Sequence, residues 1–176
     1  MAINNINEQT INYEVFVGGD RALGTASVDL PEITYLTSEI KGAGVAGQLD
    51  VPTLGHLESM EMTLHWRSIF ERPTNLLAQN AIMLSLRGAM QLYDAATGIL
   101  KALPVRIDAR CLSAGLTLGK LEPSEQTDTE STFKIDYLKI TIDGRKEFEH
   151  DAFNYIHEVD GTDYLAGVRE ALGLGA

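Results

Sequence analysis

A chain of 176 residues, 44% of them hydrophobic, suits one domain spanning 1–176 and large enough to bury about 70% of its unfolded surface. Fourteen basic side chains against twenty-five acidic ones give a net charge of −11, which argues against binding nucleic acid, because such proteins work by neutralising phosphates. The single cysteine, Cys111, leaves no internal disulfide, and without an apolar run of about eighteen residues or a secretory leader the expectation is a soluble protein made inside a cell, not inserted in a membrane.

Met1–Thr10 is polar and rich in asparagine, and reads as a loose arm or an exposed lead-in. Tyr13–Val17 reads as a short strand stopped by Gly18-Gly19-Asp20. Ser27–Ile40 has another strand pattern, but Pro31 has no N–H to give to a ladder and belongs at a sheet edge or a kink. Ile33 and Tyr35 are expected to face the core there, with Glu32 and Thr34 outside.

Between Lys41 and Glu58 the chain carries Gly42, Gly44, Gly47, Pro52 and Gly55, which suit neither a regular helix nor a central strand. Residues 42–57 are therefore predicted as a long extended loop. Loops of that length usually serve something outside their own fold. This one is apolar at Val45, Leu49, Val51, Leu54 and Leu57, side chains that either bury against another copy of the chain or fold back onto its own core. The first reading is preferred, with Val45, Leu49, Asp50, Val51, Pro52 and Leu54 as inter-subunit residues. Gly42-Ala43-Gly44-Val45-Ala46-Gly47 spells G-x-G-x-x-G, but no helix starts within it to hold a pyrophosphate, so it reads as a flexible glycine loop.

Ser59–Arg67 alternates strictly: Met60, Met62, Leu64 and Trp66 on one face, and Ser59, Glu61, Thr63, His65 and Arg67 on the other. That is a half-buried strand. With Ser27–Ile40 it flanks the loop, forming a hairpin with an oversized tip. Pro73 suits the first turn of a short helix, with Phe70, Leu76 and Leu77 available to cover a sheet. Ile82–Tyr93 is a strand, Asp94–Gly98 a turn, and Val105–Cys111 a strand with one wet face that puts Cys111 in the core. Leu116–Thr132 reads as a solvated connection. In Phe133–Ile142 the apolar phase slips by one residue, the signature of a β-bulge, and Asp143-Gly144 then signals a tight hairpin turn. The return strand runs from Arg145 toward Tyr155. A short helix over 162–173 closes the chain, capped by Thr162, stopped by Gly173 and striped by Leu165, Val168 and Leu172.

Two segments, GVAGQLDVPTLGHLESMEMTLHWRS from Gly44 and KIDYLKITIDGRKEFEHDAFNYIHEVDGTDYLAGVREALGL from Lys134 to Leu174, resemble the major tail tube proteins of contractile-tailed phages and R-type bacteriocins. The fold expected is mainly β, a β-sandwich or open barrel with one or two short flanking helices and a long extended loop. The resemblance implies a structural subunit whose strands join those of its neighbours around a six-fold ring, the rings stacking into an inner tube. It also implies sheath, baseplate or tube-initiator, and tape-measure proteins as partners, in a virion tail or bacteriocin particle. A bacteriocin tube without DNA and a secretion-system tube remain open alternatives. The alternation of the Ser59 strand beside an acidic composition makes Ser59, Glu61, Thr63 and His65 the candidate lumen face, whose negative character would let DNA slide without sticking.

Little else points to chemistry. His150-Asp151 and His157-Glu158 come closest to metal-ligand spacing, and exposed pairs on a polar face explain them equally well. Asp160-Gly161-Thr162-Asp163 begins like a calcium loop but lacks its regular acidic positions and closing glutamate. Glu147 and Glu149 share one strand face, as acids do on any acidic surface, and no nucleophile elbow occurs. No catalytic residue, metal or cofactor is expected.

Overall fold

The computed structural model describes residues 5–22, 24–42 and 44–174. Among them the order is β1 (Asn5–Val17), β2 (Asp20–Arg21), β3 (Thr25–Asp29), β4 (Tyr35–Ile40), β5 (Leu49–Leu57), β6 (Met60–Trp66), α1 (Glu71–Asn75), β7 (Ile82–Asp94) and β8 (Ile99–Thr117). Then come β9 (Thr129–Ile142), β10 (Arg145–Asp151), β11 (Ile156–Val159), β12 (Thr162–Asp163) and α2 (Ala166–Ala171).

The long β9 is the spine. Along one edge β8 pairs with it from Val105↔Ile142 to Thr117↔Glu130. Along the other edge two partners follow in succession, β6 from Trp66↔Thr129 to Met60↔Ile135 and β10 from Asp151↔Tyr137 to Arg145↔Ile142. The handover falls at Asp136, where the β8 register passes from Cys111↔Ile135 directly to Arg110↔Tyr137. That extra residue is the predicted bulge. Beyond β8 the sheet continues through β7 and β1. At its far end β1 pairs with β2, and β3 crosses to pair with β6, so the sheet curls into an open barrel. The gap is an apolar groove of about 230 Å³ between β1 and β3, lined by Tyr13, Val28, Leu30, Leu86 and Val105 among others.

The inward faces form one core, with Val15, Met60, Met62, Leu64, Trp66, Leu84, Ala109, Cys111 and Phe133 all buried. Strand β6 supplies the strict alternation: Leu64 is 0% and Trp66 1% exposed, whereas its Glu61 side faces water. The Trp66 indole donates to Ser131 Oγ at 3.0 Å and meets the Phe70 ring edge-on at 5.5 Å, which ties the strand to the turn before α1. Pro73 is buried in the first turn of α1. Burial pushes the Cys111 thiol up to about 12, so it is an inert core group. At the β9–β10 hairpin Asp143 and Gly144 both have positive φ, 51° and 76°, the type I′ geometry that matches the twist of paired strands.

Several boundaries differ from expectation, each for a physical reason. Residues 5–10 are no loose lead-in but the exposed start of β1, held by its ladder to β7. Ser27–Ile40 is not one strand: around Pro31 the chain leaves β3 and starts β4 in a different, two-stranded sheet. Ile33 and Tyr35 consequently do not enter the core and remain 37% and 39% exposed. The solvated connection is shorter than expected, 118–126, because Leu116 and Thr117 still belong to β8 and Thr127, Thr129 and Ser131 are buried. Their hydroxyls are satisfied locally, Thr127 with Thr129 at 2.8 Å and Thr129 with the Leu118 carbonyl at 3.1 Å. Thr162 does not cap a helix. It pairs with Val159 in β12, and α2 begins only at Ala166. Leu165 is buried but Leu172 is 55% exposed, so the expected stripe does not face the core as a unit.

Replacing Trp66 with alanine should destabilise the fold by about 3–5 kcal/mol through the cavity and the orphaned Ser131 hydroxyl. The shift of the urea midpoint measures it, and a loss below about 1 kcal/mol would place Trp66 outside the energetic centre.

Candidate functional site

The segment expected as a loop is a projecting arm with structure of its own. Strands β4 and β5 pair as Ile40↔Leu49, Glu39↔Asp50, Ser38↔Val51 and Thr37↔Pro52, around a tip that holds Gly42, Gly44 and Gly47. Because directly paired residues share a face, this ribbon is two-sided. Leu36, Ile40, Leu49 and Val51 lie on one side, and Thr37, Glu39, Asp50 and Pro52 on the other. Leu36, Ile40 and Leu49 are 43%, 42% and 55% exposed, and Val45 at the tip is 40% exposed. The inter-subunit residues read from the sequence are therefore split. Leu49 and Val51 share the apolar face, while Asp50 and Pro52 belong to the polar one. Leu36 and Ile40, which complete the apolar face, were missed because the preceding proline obscured their phase.

The base of the arm is docked. Between Thr37↔Pro52 and Tyr35↔Leu57 the register jumps, so that residues 53–56 bulge from the ladder. Gly55 in that bulge has φ +66° and lies so close to Leu165 that an added Cβ would come within 2.6 Å of its side chain. Leu57 packs on the core, whereas Leu54 stays 56% exposed. Tyr35 Oη lies 3.0 Å from His157 Nε2, and His157 Nδ1 lies 3.3 Å from His150 Nδ1. These histidines are not surface pairs: His150 is 5% and His157 2% exposed. The period-two pattern Phe148, His150 on β10 was the available signal, and it was discounted because histidine reads as polar.

On the barrel's outer surface the candidate lumen residues Glu61, Thr63 and His65 share the solvent side of β6, with Ser59 exposed just before the strand. Cross-strand partners surround them. Lys134 Nζ sits 2.7 Å from Glu61, and His65 lies between Asp29 at 2.9 Å and Glu130 at 3.4 Å. Three carboxylates against one ammonium leave the patch acidic. Toward the other end of β9, on β10, Lys146 reaches Glu149 at 2.7 Å and Glu158 at 2.6 Å, and these bonds raise its pKa. Among the described residues no group of three or more His, Cys, Asp or Glu side chains could hold a metal ion.

The two-sided arm on a curled sheet is matched by a family of known architecture. The model of the family described as phage tail tube protein FII matches residues 7–173. The chain belongs to that family. It is 28% identical over 168 residues to the tail tube protein of Escherichia phage P2, covering 91% of this chain and 94% of that one. To the major tail tube protein of Serratia phage KSP20 it is 23% identical over 165 residues, 93% and 94% of the two chains. Solved structures share the fold. The cap of the anti-feeding prophage tube superposes with a TM-score of 0.55 at 18% identity, over 80% of this chain and 99% of that one. The sheath/tube terminator of the extracellular contractile injection system PVC gives 0.54 at 17%, over 74% and 94%. The protein is a structural tail tube protein, not an enzyme.

Gly55→Val should detach the base of the arm, since it forces a β-branched residue into positive φ and against Leu165, at a cost of about 1–3 kcal/mol. Hydrogen exchange should report faster exchange in β4 and β5 with β7 and β8 unchanged. Uniform exchange across the chain would mean that Gly55 serves the whole fold.

Proposed function

We propose that this chain is one tube domain that assembles with identical copies into stacked hexameric rings, forming the inner tube of a contractile phage tail. The observation that carries this reading is the arm: a two-stranded ribbon is marginal in water, and this one turns an apolar face to solvent. A neighbouring subunit would cover Leu36, Ile40, Leu49 and Val51, while the sides of Asn5–Asn12 away from β7 and of β3 away from β6, which have no strand partner among the described residues, offer backbone groups for strand pairing between copies. Rings stack through arms and termini. Sheath, tube-initiating baseplate and tape-measure proteins are the further partners of such a tube. Both named relatives are phage proteins, which favours a DNA-conducting phage tail over a bacteriocin or secretion-system tube.

In this reading Glu61, Thr63 and His65, with Ser59 at the strand's entrance, face the lumen. Their surplus of carboxylates repels phosphate at short range, so the genome passes without being held. Screening limits that repulsion to about 8 Å at physiological salt, enough to coat a wall and too little to block a channel.

Two experiments test the proposal. Leu49, Val51 and Leu54 changed together to aspartate should yield a folded, soluble monomer that forms no tubes under negative-stain microscopy, where the native protein polymerises; normal tubes from the variant would put the arm elsewhere. Glu61, Asp29 and Glu130 changed to lysine in the phage should leave tails of normal length but lower DNA delivery by at least about tenfold, through phosphate contacts along the wall. Delivery at the native rate would remove this face from the lumen.

A further inference from the structure

Inside a single chain, the arm is fastened to the barrel by an unbroken row of three polar rings. Tyr35 opens β4, His157 lies on β11 and His150 on β10, with ring centroids 5.5 Å apart for Tyr35 and His157 and 5.4 Å for the two imidazoles, both edge-on. Phe148 and Tyr164 flank His157 at 5.7 and 6.2 Å, so that both imidazoles are buried while Tyr35 and Tyr164 reach solvent. Its donors and acceptors can be counted. A bond between two Nδ1 atoms needs one N–H and one lone pair, so one imidazole must present a bare nitrogen to the other. The phenol adapts, donating to a bare Nε2 of His157 or accepting from its N–H. A first proton leaves the bonds intact but brings a charge into a buried site; a second sets two N–H groups against each other at 3.3 Å.

We propose that the Tyr35–His157–His150 row is an acid-released latch: with neutral imidazoles it holds the β4–β5 arm against the β10–β11 hairpin, and protonation lets the arm go. The surrounding charges fit that role. From β12, Asp163 faces His157 and favours its charged form, but its carboxylate is already bound by Arg169 at 2.5 Å and by the Leu165 amide at 3.0 Å. Asp151 does the same for His150, while held by Arg110 at 3.5 Å and by Asn154 at 2.7 Å. From β5, His56 adds positive charge against protonation of His150. Burial dominates at both rings and holds each below the usual imidazole value, reinforced at His150 by His157. The released state therefore binds protons more readily than the docked one. Docking is fully favourable above about pH 6.5 and weakens progressively as pH falls below that value. The latch closes within one chain, so it stands apart from the tube reading.

Hydrogen exchange on the full-length monomer at about pH 7.5 and about pH 5.5, corrected for intrinsic rates, tests it. The amides of Leu36–Ile40 and Leu49–Leu57 should lose about tenfold in protection on acidification, the loss expected roughly one pH unit below the ordinary imidazole value, while β7 and β8 keep theirs. In the double variant His150→Asn, His157→Gln the arm's protection should no longer depend on pH. Equal protection of the native arm at both values, or the same acid loss in the double variant, would overturn the proposal. Should that variant not fold, imidazole resonances of the native protein serve instead. His150 and His157 titrating together with the arm's amide shifts would support the latch, and both titrating without any change in the arm would refute it.

Discussion

Strand β9 cannot serve β6 and β10 in turn along one edge without changing direction, and the extra residue at Asp136 makes that turn. A bulge bends its strand and tightens the local twist. Here it falls between the last β6 pair, Met60↔Ile135, and the first β10 pair, Asp151↔Tyr137. The bulge is pinned from outside. Arg110 donates to Asp136 at 2.8 Å and lies 3.5 Å from Asp151, and the Ala152 amide donates to the Asp136 carbonyl at 3.2 Å. One arginine thus bridges the bulge and the end of β10. Below the bulge β9 helps close the barrel around Trp66 and Phe133; above it, the strand carries the β10–β11 hairpin whose imidazoles meet the arm. Body and arm owe their relation to one inserted residue.

The parts legible in the sequence are those whose information is short-range. Met60, Met62, Leu64 and Trp66 alternate without a break because one face of β6 is core and the other is water, and period-two patterning needs no distant knowledge. The slip between Ile135 and Leu138 and the Asp143-Gly144 turn are local in the same sense. What stayed hidden depends on distant partners. Asn5–Asn12 is polar on both sides and becomes a strand only because β7 supplies its ladder. Thr129 and Ser131 look like loop residues, but they are buried where the Thr129 hydroxyl bonds with Thr127 and the Leu118 carbonyl and the Ser131 hydroxyl accepts from Trp66. Thr162-Asp163 resembles a helix start until β11 claims it. In the arm, glycines and a proline masked a strand, because a ribbon with an open edge tolerates Pro52 where a central strand would not.

The arm sets two demands against each other. An exposed apolar ribbon promotes assembly, and for the same reason promotes indiscriminate sticking. The chain answers with charge of one sign. At −11 two monomers repel, and within roughly a Debye length that repulsion opposes any approach that does not bring complementary surfaces together. Glu39 and Asp50 occupy the polar side of the ribbon directly opposite one another, with Lys41 2.9 Å from Glu39, so that side is charged where Leu49 and Ile40 are not. In the proposed assembly, charge would make random contact unfavourable and apolar burial would make the matched contact favourable.

Rigidity at the base of the arm decides how that contact forms. If the ribbon were free at both ends, a neighbour would have to order it while binding, and the entropy of ordering would be subtracted from the interface. Leu57 in the core, Gly55 against Leu165 and Tyr35 on His157 fix the root, leaving the paired strands beyond it to reach outward. Gly42, Gly44 and Gly47 lie at the tip, where, in the proposed assembly, adaptation to a neighbour's surface would disturb nothing else. A fastened root with an adaptable end presents the apolar face in nearly its final orientation, so most of the ordering precedes contact. Because the fastening passes through two neighbouring imidazoles and not through apolar packing alone, the proposed latch would let mild acid alter the arm's presentation while the barrel's Trp66 core stays closed.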